Sequence, residues 1–227
     1  IDNTPGVTVE SNFVVDNALT INLGKKLVIS AGTQLTVSGT LTNSAGNSGL
    51  VIRSTSNGND GRLVNNTAAV PATVKLFISG GMGISGPAFH YVTPPVTSMS
   101  IDNSSVTACR TSLGLTYFNG DLMLYDEPKA IANKNAGWQY FDGYNGTTGF
   151  TSLVSSRAYN MYLTSGDSIT FTGNLNASAH SFNLSYTGSN PDPGWNLVGN
   201  PYPCNYDLNG ISALTTDGDG VDNTIYF

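Results

Sequence analysis

Three consecutive eight-residue units limit what this chain can fold into more than any other feature: ALTINLGK (18–25), KLVISAGT (26–33) and QLTVSGTL (34–41). Leu19, Leu27 and Leu35 share one position, and Ile21, Ile29 and Val37 share the position two residues on. Asn22, Ser30 and Ser38 follow, and Gly24 and Gly32 mark turns between the units. Two apolar residues with one between them form a short strand that shows one face inward. Such a strand cannot bury its Leu and Ile alone, but stacked copies form a continuous apolar column. The pattern predicts a β-solenoid or a flat meander. LVIRS (50–54), GRLVNN (61–66) and TVKLFIS (73–79) continue it less regularly, until Gly80, Gly81, Gly83 and Gly86 interrupt it. A boundary placed there divides the chain into a repeat segment, 1–86, and a second domain, 87–227.

The second part has longer alternating segments. Tyr159, Met161 and Leu163 share one face, as do Ile169 and Phe171 in DSITFTG (167–173), and Phe182, Leu184 and Tyr186 in HSFNLSYTG (180–188). DLMLYD (121–126) reads as a further strand, and Trp195 and Leu197 continue the alternation as core residues. Alternation of this kind means one buried face and one wet face. Turn signals spaced this regularly fit an antiparallel β-sandwich of jelly-roll type. One helix is a candidate, Glu127 to Asn135, with Pro128 as its first residue, and the same short stretch reads equally as a loop. The fold expected is therefore all-β, an N-terminal solenoid-like or meander-like segment followed by an antiparallel sandwich.

Composition removes several function classes. Charged residues make up 11% of the chain and the net charge is −6, with no basic run, so the electrostatic footprint of a nucleic-acid binder is missing. Catalytic signatures are also missing: there are two His, His90 and His180, two Glu, Glu10 and Glu127, and no nucleophile elbow, zinc-protease helix or phosphate loop. Asp121, Asp126, Asp142 and Asp167 could supply a glycosidase pair, but Asp is far commoner in solvated turns. Both histidines read as sheet residues. Cys109 and Cys204 lie in no metal spacing; they either pair as a disulfide in an exported protein or stand as two buried thiols.

Two segments carry candidate sites. GWQYFDGYNG (137–146) sets Trp138, Tyr140, Phe141 and Tyr144 among turn residues. Exposed in a loop, these rings form a platform for a pyranose face; in a strand, Trp138 and Tyr140 go to the core. TTDGDGVDN (215–223) offers Asp217, Asp219 and Asp222 as oxygen ligands for calcium, although it lacks the spacing and the bidentate Glu of an EF-hand, and a surface turn rich in Asp and Gly is the commoner home of such residues. Two further motifs are structural in character. Asn200-Pro201 and Tyr202-Pro203 close a tight turn in which one bond is a candidate for cis geometry. Asp167-Ser168-Ile169 matches a short O-glycosylation pattern of exported proteins and also reads as a plain strand start.

The order of the blocks resembles a known module. KLVISAGTQLTVSGTLTN (26–43) is followed by GRLVNN, TVKLFISGG (73–81), FHYVTPPV (89–96), DLMLYDE (121–127), GWQYFDG (137–143), SRAYNMYL (156–163) and ITFTGNLN (169–176). LSYTGSNPDPGWNLVGNPYP (184–203) and VDNTIYF (221–227) close the series. This succession is similar to a module of large secreted and cell-surface proteins of Bacteroidetes-type bacteria, many of them cargo of type IX secretion. GWNLVGNPYP (194–203) is its most specific block. The resemblance implies an extracellular or surface location within a larger parent protein, and it carries no catalytic residue. The expectation is a non-catalytic, adhesin-like module that binds glycan or a host or matrix surface, with no cofactor beyond a candidate calcium. Its alternatives are a structural spacer and a polysaccharide-acting enzyme.

Overall fold

The computed structural model describes residues 1–56, 58–83, 86–87, 89–101, 122–141, 147, 149–163 and 165–207. Its first strands are β1 (Val7–Val9), β2 (Phe13–Val15), β3 (Leu19–Ile21), β4 (Leu27–Ile29), β5 (Gln34–Val37), β6 (Leu41–Asn43), β7 (Leu50–Ile52), β8 (Arg62–Asn65) and β9 (Pro71–Ile78). They wind into a solenoid of about three turns, paired in parallel and in register. Val7, Leu27 and Leu50 form one column, Phe13, Leu35 and Leu63 a second, and Leu19 and Leu41 a third.

The eight-residue units are the sides of a coil and not its layers. β3, β4 and β5, which hold the equivalent Leu19, Leu27 and Leu35, lie in three different sheets. The chain comes back over itself only after three strands. Gly24 and Gly32, at φ +73° and +76°, turn the corners in the left-handed region that a side chain resists. Polar side chains satisfy the backbone at other corners: Asn43 Nδ2 donates to the carbonyls of Gly46 (2.8 Å) and Pro71 (2.7 Å), and the Thr33 hydroxyl to Ser30 (2.8 Å).

The remaining strands are β10 (Met82–Gly83), β11 (Gly86–Pro87), β12 (Phe89–Val92), β13 (Ser98–Ser100), β14 (Leu122–Tyr125), β15 (Trp138–Tyr140), β16 (Ser152–Val154), β17 (Tyr159–Tyr162) and β18 (Asp167–Asn174). β12, β17, β14 and β15 make a four-stranded antiparallel sheet in that order; β10 pairs with β11 and β13 with β16. β18 runs antiparallel to β9 along all eight residues, so one five-stranded sheet, β1-β4-β7-β9-β18, continues across position 86. A single apolar core follows it, from Ile21, Leu27 and Leu35 in the coils to Tyr159, Ile169 and Phe171 beyond them. The molecule is all-β, as expected. Tyr159, Met161 and Leu163 are all buried, as are Ile169 and Phe171, and Asp167-Ser168-Ile169 is the start of β18.

Three expectations fail. The candidate helix is two 3₁₀ turns, Glu127–Lys129 and Lys134–Gly137, each too short to continue as an α-helix. Residues 180–188 and 194–199 form no strands, and Leu184, Tyr186 and Trp195 are exposed, Trp195 at 47%. Their alternation does not mark a buried face because no ladder fixes it. The Asn196 side chain stands in for one, accepting from Ser185 N and donating to Ser185 O, both at 2.9 Å. Finally, both X-Pro bonds of the NPYP turn are trans, and the cis bond among the described residues is Thr4-Pro5.

Candidate functional site

Alternation sorts the four-stranded sheet into two faces. Val92, Tyr159, Met161, Leu122 and Phe141 point into the core. The opposite face carries Phe89 and Tyr91 from β12, Asn160 and Tyr162 from β17, Met123 and Tyr125 from β14, and Trp138 and Tyr140 from β15. Cross-strand register sets Tyr91, Asn160, Met123 and Tyr140 in one row and Tyr125 opposite Trp138 in the next.

The rings on this face meet. Tyr91 and Trp138 approach across β17 and β14, near-parallel and offset, with centroids 6.4 Å apart and planes 17° apart. Tyr125 meets Trp138 edge-on at 5.1 Å, and Phe89 meets Tyr162 at 5.5 Å. Tyr91 is 63% exposed and Trp138 half-buried, whereas Met123 and Asn160, in the strands between them, are buried. Two polar atoms here, Asn160 Oδ1 and the Tyr125 hydroxyl, are buried with no hydrogen-bond partner among the described residues. An orphaned buried polar atom costs roughly 1–3 kcal/mol, so this face holds an unmet polar demand. Burial raises the Tyr125 phenol pKa, and the nearby charges of Glu127 and Asp192 add to the rise, so the hydroxyl keeps its proton as a donor.

The candidate aromatics thus divide. Trp138 lies in a strand, but on the outward face of the sheet and not in the core, and Tyr140 shares that face. Phe141 is fully buried and belongs to the core, apart from the exposed rings. Tyr144 lies outside the described residues, as do Asp217, Asp219, Asp222 and Cys109. Among the described residues no group of three or more His, Cys, Asp or Glu is placed to hold a metal. Cys204 carries a free thiol whose pKa is raised by burial. His90 Nε2 lies 3.1 Å from the Ser79 hydroxyl, and His180 packs edge-on to Phe182. Sequence reasoning missed Tyr91 and Tyr125. Their signal is an aromatic set one residue out of phase with the core-facing positions of its own strand: Tyr91 beside Val92, and Tyr125 in phase with Met123 rather than with the core-facing Leu122.

The NPYP turn lies next to this sheet. Pro203 O accepts from Leu63 N (2.8 Å) at the free edge of β8, so the turn caps one side of the solenoid. Asn200 closes it, donating to Cys204 O (2.6 Å) and accepting from Tyr202 N (3.0 Å), while Pro201 O receives Asn176 Nδ2 (2.8 Å). Prolines suit a cap, because they offer no N–H to a further strand. Gly199 passes so close to Thr93 that a Cβ there would stand 2.5 Å from its hydroxyl oxygen. Between turn, coil and sheet lies a cleft of about 240 Å³, with Asp60, Arg62, Lys75, Tyr91, Thr93 and Cys204 among its lining residues.

In comparisons with protein-family models, curated proteins and solved structures, nothing matches this chain. No helix among the described residues is long and apolar enough to cross a membrane.

Proposed function

We propose that this chain is a non-catalytic, extracellular surface module that binds glycan on the outward aromatic face of its four-stranded sheet. The observation that carries the reading is the Tyr91–Trp138 pair, two near-parallel rings held on a rigid sheet with the more exposed one facing solvent. Flat apolar rings stack on the C–H faces of pyranoses, and neighbouring polar groups bond the hydroxyls. The phenol of Tyr91, on a ring 63% exposed, supplies that second requirement. The likeness of GWNLVGNPYP to modules of secreted surface proteins supports a place outside the cell, in a larger parent.

A glycan array followed by calorimetry on the best oligosaccharide tests this. Trp138→Ala and Tyr91→Ala should each weaken binding at least about tenfold, equivalent to about 1.4 kcal/mol. Their melting temperatures should stay near that of the parent, since neither ring is fully buried. An array with no bound glycan, or undiminished binding by W138A, overturns the proposal.

A structural spacer is the second reading. It is favoured by the core that runs unbroken from the coils into the second part, as expected of a stiff element between other domains.

A further inference from the structure

The cleft beside the aromatic face has a charge character that the chain as a whole does not. The protein holds nine Lys and Arg against fifteen Asp and Glu, yet Arg62 and Lys75 both line this one cavity. Neither forms an ion pair among the described residues; the pair found there is Lys25 with Asp2. Arg62 Nε is buried and has no hydrogen-bond partner among the described residues, and the Thr93 hydroxyl, on a residue 8% exposed, has none there either. An Nε–H without an acceptor is costly, and Arg62 lines this space, whereas the Thr93 hydroxyl is closed off by Gly199.

The other titratable groups leave the balance positive. Asp60 is the one carboxylate among the described lining residues, so it offsets one of the two cations. The Cys204 thiol and the Tyr202 phenol are both held protonated by burial and add no negative charge. The volume, about 240 Å³, falls below the roughly 300 Å³ at which sites for drug-sized ligands begin, so the cleft has room for one sugar residue and not for a chain. Tyr91 belongs to both places: it lines the cleft and stacks with Trp138 on the open face.

We propose that the cleft between the last coil and the NPYP turn receives the carboxylate-bearing residue of an acidic glycan. Arg62 and Lys75 bind the carboxylate, and the neighbouring residue lies on Tyr91 and Trp138. The sugar class rests on the glycan-binding reading of the adjoining face, while the preference for negative charge rests on the cleft alone. Guanidinium and ammonium groups form their strongest hydrogen bonds with carboxylates, which is why an uncommitted Arg and Lys point to this group over a neutral hydroxyl.

The test is calorimetry of the whole chain with tetragalacturonate and with cellotetraose, at low and at raised salt, for the parent, Arg62→Gln, Lys75→Gln and W138A. Melting curves confirm that each variant is folded. The parent should bind the uronate at least about tenfold more tightly than the neutral sugar, and salt should narrow the gap. R62Q and K75Q should lose that margin and leave cellotetraose binding unchanged, whereas W138A should weaken both ligands. Equal affinity of the parent for the two sugars, or a loss in R62Q that is the same for both, overturns the cleft proposal and leaves the aromatic face standing if W138A still weakens both. A uronate preference that needs Arg62 but ignores W138A keeps the cleft and removes the aromatic face. No binding of either sugar removes both.

Discussion

Glu127 is 2% exposed, in a 3₁₀ turn, with no cation paired to it among the described residues. It nevertheless holds down the segment that leads to the NPYP turn. Its carboxylate accepts from Thr187 N (2.9 Å), the Thr187 hydroxyl (2.8 Å), Asn190 Nδ2 (3.3 Å) and Gly194 N (3.1 Å). Burial alone pushes its pKa up; these hydrogen bonds to the ionised form more than cancel that and leave it below the usual carboxylate range. In the unfolded chain the group takes its proton near pH ~4.3, and in the folded protein only at lower pH. Its contribution is therefore full above that range and disappears as pH falls through the folded value. Glu127→Gln keeps one oxygen for the two backbone donors but turns charge-assisted bonds into neutral ones, so it should lower stability at neutral pH by roughly 1 kcal/mol or more and should flatten the loss of stability between pH 5 and 3. Thermal melts of both proteins across that interval check this; an unchanged acid slope in E127Q sinks it. None of this is visible in the sequence, where Glu127 opens the candidate helix stretch just before Pro128. Its partners lie some sixty residues downstream, and a contact at that separation leaves no local pattern. Trp138 was half legible: its chemistry was plain, but only the register of β14 with β15 sets it opposite Tyr125 and facing outward.

At the scale of elements, the repeat announced strands and corners correctly and hid how they stack. Periodicity reports which residues point inward, and all three sides of a coil share one interior, so sides and layers give the same alternation. The structure separates residues that the repeat makes equivalent. Leu27 and Leu35 are 2% and 1% exposed, whereas Leu19 is only partly buried and packs at the margin of the core. Leu35 also lies between Phe13 and Leu63 in the middle layer of its sheet. Leu27→Ala and Leu35→Ala should each cost about 2–5 kcal/mol, the range for a large-to-small change in a packed core. Leu19→Ala should cost clearly less, since part of its surface already meets solvent. Urea titrations of the three variants decide it, and three equal losses would mean that the units are equivalent after all. The C-terminal described segment shows the opposite failure. Alternation from Phe182 to Tyr186 and from Trp195 to Leu197 looked like two strands, yet a strand is defined by its ladder, and here the ladder is reduced to one Asn196 side chain bridging Ser185.

At the scale of the whole molecule, the glycine-rich break near residue 86 marks a boundary in the sequence because turn residues concentrate there. A boundary in composition need not be one in stability. β9 has eight residues, and all of them are paired with β18, which enters from far beyond the break. Without β18, the backbone groups of β9 on that side become a long open edge, next to the inward-facing Val74 and Ile78 that now pack in a core shared with Ile169 and Phe171. The edge of β8 would open as well, because the carbonyl that meets Leu63 N comes from Pro203. Uncovered edges recruit other chains, and a solenoid needs caps at its ends to stay soluble. A fragment of residues 1–86 should therefore fail to give a monomer with a cooperative melt, whereas the full chain should give one. Light scattering and circular dichroism on the two proteins make the comparison. If the fragment is monomeric and melts cooperatively, the coils are a domain in their own right and β18 is an attachment to it. If it aggregates, the solenoid and the sheet that carries the aromatic face fold as one unit, and the cleft between them is set by the same contacts that stabilise the whole.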